Sequence, residues 1–225
     1  MLQYQGIDLS CRMSAENVAS LDQLFEDLLH PNPNIQKSAS FSMADSYSDI
    51  SIPRLLLLLE SENPAIYRSA VKALGVIGPK TFSPLITLFN NSVNPTVRAC
   101  CVKALVQIAV NFPDEAFPED ALSVLSKALN DISPVVSQSS LMTLGYIAKA
   151  THGGDRAVPI LIEACSSDNI AHVQAAAMAL AEVDSPKARE CLLALASDQS
   201  TDPLVLEIVQ SCLERMGANL NSSNA

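Results

Sequence analysis

The chain has no tryptophan among its 225 residues, and aromatic residues make up only 4% of it. The abundance of alanine, leucine and valine is instead typical of a helical core built from small and medium side chains. Basic residues are also scarce, because 14 lysines and arginines stand against 24 aspartates and glutamates. Phosphate backbones and anionic lipids attract basic proteins, so this composition argues against nucleic acid as a partner.

Signatures of metal binding and catalysis are missing as well. The six cysteines include no C-x-x-C pair, and no two histidines lie four residues apart, so neither a zinc site nor a disulfide framework is predicted. The sequence has no G-x-S-x-G motif, no glycine-rich phosphate loop and no H-E-x-x-H motif. Cys100 and Cys101 fall within a predicted helix, and a buried thiol is usually inert. We therefore expect no catalytic residue, no metal and no intrinsic cofactor.

The ends of the sequence carry no targeting signal that we can identify. The amino terminus lacks a basic start and an apolar core, and the strongest hydrophobic run, residues 55–59, is too short to span a bilayer. We expect a cytoplasmic protein without a membrane span. Residues 1–13 and 218–225 show no apolar periodicity, which predicts flexible tails on a single domain formed by residues 14–217.

What the sequence does contain is a repeat. Six segments align on a second position that is usually proline, and these positions are separated by 31, 31, 39, 36 and 33 residues. Apolar or small residues follow at steps of four, four and three, which keep one face of a helix apolar. Each copy is therefore predicted to start with a helix whose first residue is proline. The aligned positions are Pro33, Pro64, Pro95, Pro134, Ile170 and Pro203.

Each full copy also contains a second apolar segment, such as IPRLLLLLES or SPLITLFNN. A unit is then a helix, a short turn and an antiparallel helix, and such a pair buries its apolar face only when it is stacked on neighbours. The pattern resembles that of HEAT repeats over about residues 17–217. It predicts an all-α solenoid, a right-handed superhelix of about five helix pairs with a capping helix at each end.

The third copy is lengthened by the insertion VNFPDEAFPED at residues 110–120, which we call the acidic elbow. Its two prolines and four acidic residues predict a rigid acidic connection, and insertions within a solenoid unit lie on one rim. The acidic elbow is either a lengthened loop or a contact for a partner. In the second case Asp114 and Glu115 are the candidate contact residues.

Several segments resemble the E/F-type phycobilin lyase group of cyanobacteria, namely LFEDLLHPNPNI, IYRSAVKALGVIG, VRACCVKALVQIAVNFPDEAFPEDAL and ALNDISPVV. They are most similar to a small, chaperone-like member associated with phycoerythrin. The resemblance implies help in attaching a bilin, phycoerythrobilin, to cysteines of a phycobiliprotein. The implied partners are a phycoerythrin subunit and a larger E/F-type lyase subunit, with phycoerythrobilin as a transient ligand.

Three roles stay open at this point. The chain is a lyase subunit that holds pigment, a chaperone-like subunit that is not catalytic and does not touch pigment, or a HEAT-repeat adaptor in phycobilisome assembly or degradation. Because a bilin has two propionates, the candidates for binding pigment or partner include Arg54, Arg68 and Arg98. Tyr67, beside Arg68, is a further candidate that either stacks on a pyrrole ring or covers the junction between repeats. Cations on consecutive first helices either form a basic strip or are ordinary solvated charges: Arg68, Lys72, Arg98 and Lys103.

Overall fold

The computed structural model describes residues 20–150 and 154–223, and the predicted tail at residues 1–13 lies outside them. The described residues contain helices and no strand. None of these helices is both long and apolar enough to cross a membrane. The helices are α1 (Leu21–Leu28), α2 (Pro33–Ser46), α3 (Ser48–Leu58), α4 (Pro64–Ile77), α5 (Phe82–Asn91), α6 (Pro95–Asn111), α7 (Glu119–Leu129), α8 (Pro134–Ala148), α9 (Ala157–Ala164), α10 (Ile170–Leu180), α11 (Pro186–Ser197) and α12 (Pro203–Ser223).

Asparagine caps start the first helix of several units. The Asn63 side chain accepts a hydrogen bond of 2.9 Å from the backbone N–H of Ala65, and Asn94 accepts an equivalent bond of 2.9 Å from Thr96. Proline follows as the first helical residue, where its missing N–H needs no partner. The predicted first helices are confirmed as α2, α4, α6, α8, α10 and α12.

The helices form two layers. The first helices stack side by side in one layer, the second helices α3, α5, α7, α9 and α11 form the other, and α1 packs on α2. The predicted all-α solenoid of stacked helix pairs is therefore confirmed. Neighbours in the first layer pack more closely than neighbours in the second, and in a curved stack the more closely packed layer lies on the inside. We call the solvent-facing side of the first layer the inner face.

The predicted apolar stripe is the core of the solenoid. Ten residues after the aligned position of each of the first five copies, Met43, Leu74, Leu105, Leu144 and Leu180 are at most 1% exposed. The same position of the sixth copy is only partly buried, since no further described helix covers α12. Burial of this stripe, at roughly 1.5–3 kcal/mol for each large side chain, is the main contribution that joins one unit to the next.

Glycine allows the close approach of α4 and α6. A Cβ atom at Gly75 would lie 2.1 Å from the Cβ of Gln107, far inside van der Waals contact. Between α8 and α10, a Cβ atom at Gly145 would lie 3.3 Å from the Cβ of Ala179. The first layer is therefore more tightly packed between α4 and α6 than between α8 and α10.

Two helices extend beyond their predicted bounds. α3 begins at Ser48 rather than near Pro53, and only Tyr47 separates it from α2. The Tyr47 carbonyl accepts the first helical bond of α3, from Ser51 at 2.9 Å, so the helix nucleates before the proline. At the other end of the chain, α12 continues to Ser223, past the predicted solenoid boundary at residue 217.

Candidate functional site

The inner face changes its chemistry along the solenoid. We divide it into a front part, formed by α2, α4 and α6, and a back part, formed by α8, α10 and α12. Eight residues after the aligned position, the exposed side chain is Phe41, Lys72 or Lys103 in the front part. The same position holds Met142, Met178 and Ser211 in the back part. An aromatic and cationic surface is thus followed by an uncharged one that is largely apolar.

Four exposed cations lie on the front part: Lys37, Arg68, Lys72 and Lys103. The described residues form five ion pairs, and none of them involves these four side chains. The chain as a whole has a formal charge of −10. Unpaired cations gathered on one face of an acidic protein make that face attractive to anions.

A cleft of about 350 Å³ opens between α2, α4 and α6, and we call it the lysine cleft. Phe41 lines it with 52% of its surface exposed, and the Lys37 ammonium lies 5.8 Å from the centre of its ring, within cation–π range. Lys72 of α4 and the amides of Gln107 and Asn111 on α6 also line the cleft. This combination of ring, cations and amides fits an apolar ligand that carries carboxylates.

A second cleft, of about 330 Å³, lies between α8 and α10, and we call it the methionine cleft. Met142, Met178 and Tyr146 line it, and nearly half of each side chain is exposed. Its two charged residues, Lys149 and Glu182, pair with each other at 2.5 Å. Methionine offers adaptable apolar surface, so this cleft suits an apolar group without net charge.

Arg68 is exposed on α4, whereas Arg98 is held by neighbouring residues. Arg98 stands three rather than four residues after its proline, and one residue rotates a helical side chain by about 100°. Its Nε and Nη2 bind the Asp131 carboxylate at 2.6 and 2.9 Å, and its Nη1 donates to the carbonyls of Ser92 and Val93. The predicted strip is corrected accordingly, because it runs through Lys72 and Lys103 without Arg98.

The pair of Arg98 and Asp131 is largely buried, with side chains 15% and 8% exposed. The hydrogen bond from Arg98 lowers the pKa of the Asp131 carboxyl, although burial opposes this change. The same bond raises the pKa of Arg98. Arg98 thus links the start of the third unit to the connection between the third and fourth units.

Arg54 and Tyr67 also contribute to packing. From α3, Arg54 donates to Asp22 at 2.8 Å and lies 3.9 Å above the ring of Phe25. Both partners belong to α1, so Arg54 holds this first helix against the solenoid and lies away from the inner face. Tyr67 is half-buried and packs against the core. Of the two roles considered for it, the structure shows the packing contact.

The acidic elbow connects α6 to α7 at the rim. The Phe117 ring contacts the Phe82 ring edge-on, with 4.8 Å between their centres, and Phe112 packs against the core. These anchored rings hold the connection and leave Asp114 and Glu115 exposed. The two acidic side chains therefore lie apart from the lysine cleft, on a separate surface.

The cysteines differ in their surroundings. Burial raises the pKa of Cys100, and that of Cys101 to about 12, so the predicted burial of these thiols is confirmed. Cys165 and Cys191 share a side-chain hydrogen bond, which lowers the pKa of the Cys191 thiol to about 7. Sequence analysis had no signal for this pair, which comes from two different units. No group of described histidine, cysteine, aspartate and glutamate residues could hold a metal ion.

Lys37 and Phe41 were missed by the sequence analysis. Both belong to the first copy, where serines interrupt the apolar pattern and the exposed residues look ordinary. A signal was available, because Lys37 occupies the same repeat position as Arg68, and Phe41 the same position as Lys72. The exposed positions of the aligned copies, compared with one another, therefore indicate both Lys37 and Phe41.

The family of HEAT repeats matches the chain in three overlapping segments, residues 20–106, 52–145 and 122–214. Together these matches span the helices of both layers. The family match and the two-layer stack therefore agree.

Two relatives and one solved structure are similar to the chain. The bilin biosynthesis protein CpeZ of Synechococcus sp. strain WH8020 is 52% identical, over 79% of this chain and 95% of that protein. The uncharacterized phycocyanin operon protein Z of Pseudanabaena tenuis strain PCC 7409 is 35% identical, over 88% of this chain and 95% of that protein. The complex of CpcE and CpcF of phycocyanin lyase from Nostoc sp. PCC7120 has a TM-score of 0.50 at 20% identity, over 72% of this chain and 99% of that one. At 20% identity, this last similarity shows a shared fold only.

Proposed function

The chain belongs to the HEAT-repeat family and, within it, to the E/F-type phycobilin lyase group that contains CpeZ, and we propose that it assists the covalent attachment of a bilin to a phycobiliprotein. The observation that carries the proposal is 52% identity to a bilin biosynthesis protein over 95% of that protein's length. We propose further that the bilin is phycoerythrobilin and that the acceptor is a cysteine of phycoerythrin, as the resemblance of the sequence segments to the phycoerythrin-associated member implies.

The inner face is physically suited to this role. A bilin has an apolar conjugated body and two propionates, and the front part of the face offers an aromatic ring and unpaired cations. The thioether bond forms between the bilin and a thiolate of the acceptor protein. This chain therefore needs no nucleophile of its own and contributes by binding, orienting and excluding water.

Within this function we favour a non-catalytic, chaperone-like subunit over an independent lyase, and we add to the chaperone-like role considered above a transient contact with pigment. Cys100 and Cys101 are buried with raised pKa values, so they are poorly suited to carry pigment covalently. The exposed Asp114 and Glu115 on the rim suit a basic surface of a partner protein. The proposed partners are a larger E/F-type lyase subunit and a phycoerythrin subunit, with phycoerythrobilin held only transiently.

Co-expression tests the proposed function directly. A phycoerythrin subunit, the enzymes of bilin synthesis and the larger lyase subunit are produced together, with and without this protein. We expect several-fold more phycoerythrobilin on the acceptor when the protein is present, and single replacement of each of its cysteines by serine should leave this gain measurable. Equal attachment in both cases would reject the proposal and favour an adaptor in phycobilisome assembly or degradation.

The acidic elbow is tested by the double variant Asp114→Ala/Glu115→Ala. We expect slower association with the partner and a weaker dependence of the association rate on salt, because charges at the rim of an interface mainly affect the rate at which two proteins associate. The matched control is Glu60→Ala/Glu62→Ala, which removes two exposed carboxylates from another turn. Identical association rates for the two double variants would exclude a specific role for the acidic elbow.

A further inference from the structure

The lysine cleft has the features of a ligand site, and we propose that it binds an apolar dicarboxylate of the open-chain tetrapyrrole class. The preference for an apolar anion rests on the cleft itself. The choice of a tetrapyrrole rests on the proposed function. Lys37 and Lys72 would take the two carboxylates, and Phe41 would take the conjugated body.

The charge of the cleft is the first argument. Lys37 and Lys72 both line it, and no aspartate or glutamate is among the described residues that do so. In a chain with 24 acidic residues, two lysines without a carboxylate partner leave a local positive potential. A ligand carboxylate would supply the missing counter-charge through charge-assisted hydrogen bonds.

The exposed ring is the second argument. Phe41 is 52% exposed in a cleft, where a planar conjugated ligand that covers it would remove apolar surface from water. The Asn111 side chain donates from Nδ2 to the carbonyl of Gly75 at 3.1 Å. That bond fixes the amide, and its Oδ1 accepts no hydrogen bond from the described residues. This oxygen is an acceptor of the kind that a pyrrole N–H requires.

An acidic peptide is the other class of partner that lysines attract, but the cleft favours a compact ligand. A peptide lying along a solenoid would meet equivalent positions in successive units, and here the cations Lys72 and Lys103 give way to Met142 and Met178. Here Lys37, Lys72 and the Phe41 ring instead line one cavity of about 350 Å³. This volume is within the usual range for small-molecule sites.

The test is a titration of the purified protein with biliverdin, a free open-chain tetrapyrrole dicarboxylate, followed by the visible circular dichroism that binding induces. We expect Lys37→Glu and Lys72→Glu each to weaken binding by about tenfold or more, because each loses a charge-assisted bond and gains repulsion. Phe41→Ala should weaken it several-fold. Lys187→Glu is the matched control, since it makes the same charge change at an exposed site on α11. Far-UV spectra verify that each variant is folded.

The proposal is overturned if the wild type does not bind biliverdin or if all four variants bind it equally. It is also overturned if poly-glutamate, rather than biliverdin, binds with the same dependence on the two lysines, which would make the cleft an acidic-peptide site. The outcome is separable from that of the co-expression test. If biliverdin binding depends on the two lysines but the protein does not increase bilin attachment in the co-expression test, the proposed function is rejected and the lysine cleft stays a ligand site.

Discussion

The lysine cleft and the methionine cleft lie on the same layer of helices and use equivalent repeat positions, yet they differ in charge and in packing. Lys37 and Lys72 in the front cleft have no ion pair within the described residues, whereas Lys149 and Glu182 in the back cleft pair with each other. The buried positions of the repeat are apolar or small in both parts. The exposed positions are free of this constraint, so one repeat can present two binding chemistries.

The junctions between units differ in the same way. Arg98 and Asp131, at the boundary between the front and back parts, are 15% and 8% exposed. Lys149 and Glu182, further back, are 43% and 49% exposed. An exposed ion pair is screened by water and contributes little, whereas a buried charge that loses its partner is costly. The two junctions should therefore respond differently to the loss of one cation.

The largest expected effect comes from this difference. Arg98→Ala leaves the Asp131 carboxylate buried without its partner, so we expect the free energy of unfolding to fall by about 3 kcal/mol or more. Lys149→Ala should lower it by less than about 1 kcal/mol. Urea denaturation followed by helical circular dichroism measures both values. Similar losses in the two variants would show that burial does not distinguish the junctions.

A smaller effect on stability is expected from replacing glycine by alanine where two helices of the first layer meet. Gly75→Ala would place a Cβ atom 2.1 Å from the Cβ of Gln107, and relieving this clash should cost about 1–3 kcal/mol. Gly145→Ala meets the Cβ of Ala179 at 3.3 Å, so the cost of contact is offset by the better helix propensity of alanine, and stability should stay within about 1 kcal/mol of wild type. Thermal unfolding of both variants measures this. A wild-type melting temperature for Gly75→Ala would contradict the close approach of α4 and α6.

Low pH should destabilise the junction held by Arg98 and Asp131 more than the junction held by Lys149 and Glu182. The folded-state pKa of Asp131 is lowered by Arg98, so its contribution is present above the unfolded pKa of about 3.9 and is lost as the pH falls through the folded value. The pKa of Glu182 is lowered by Lys149, but this exposed pair contributes less. We expect Asp131→Asn to flatten the acid limb of stability against pH more than Glu182→Gln does. The reverse order in acid titrations monitored by circular dichroism would refute this.

The smallest effect concerns thiol chemistry and leaves stability unchanged. Cys191 has a pKa lowered to about 7 by its hydrogen bond with Cys165, whereas burial raises the pKa values of Cys100 and Cys101. Because the thiolate is the reactive form, iodoacetamide at neutral pH should modify Cys191 before the other four cysteines of the described residues. Peptide mapping by mass spectrometry identifies the site, and Cys191→Ser is the control. Equal modification of Cys100 under native conditions would contradict the prediction.

The fold was predictable because its signals are local and repeated. A polar capping residue at the start of each first helix, usually followed by proline, and the apolar stripe recur in the aligned copies, so errors in one copy are corrected by the others. The candidate site was predictable only in part. The role of Arg68 stays a prediction, whereas Arg98 was assigned to the same strip because adjacent helical positions look alike in a sequence. Lys37 and Phe41 were missed because nothing in their own copy marks them.

The sequence by itself determined where the first helix of each unit begins, which of its side chains enter the core and how many units stack. These properties depend on capping and on helical periodicity within about fifteen residues, which a sequence displays directly. Only the tertiary structure decided which exposed side chains meet. Lys37, Lys72 and Gln107 come from three different units, and Arg98 reaches Asp131 across a unit boundary. Their meeting depends on how far each helix rotates and how closely it approaches its neighbour, and this is set by the packing of whole faces, including the missing side chain of Gly75.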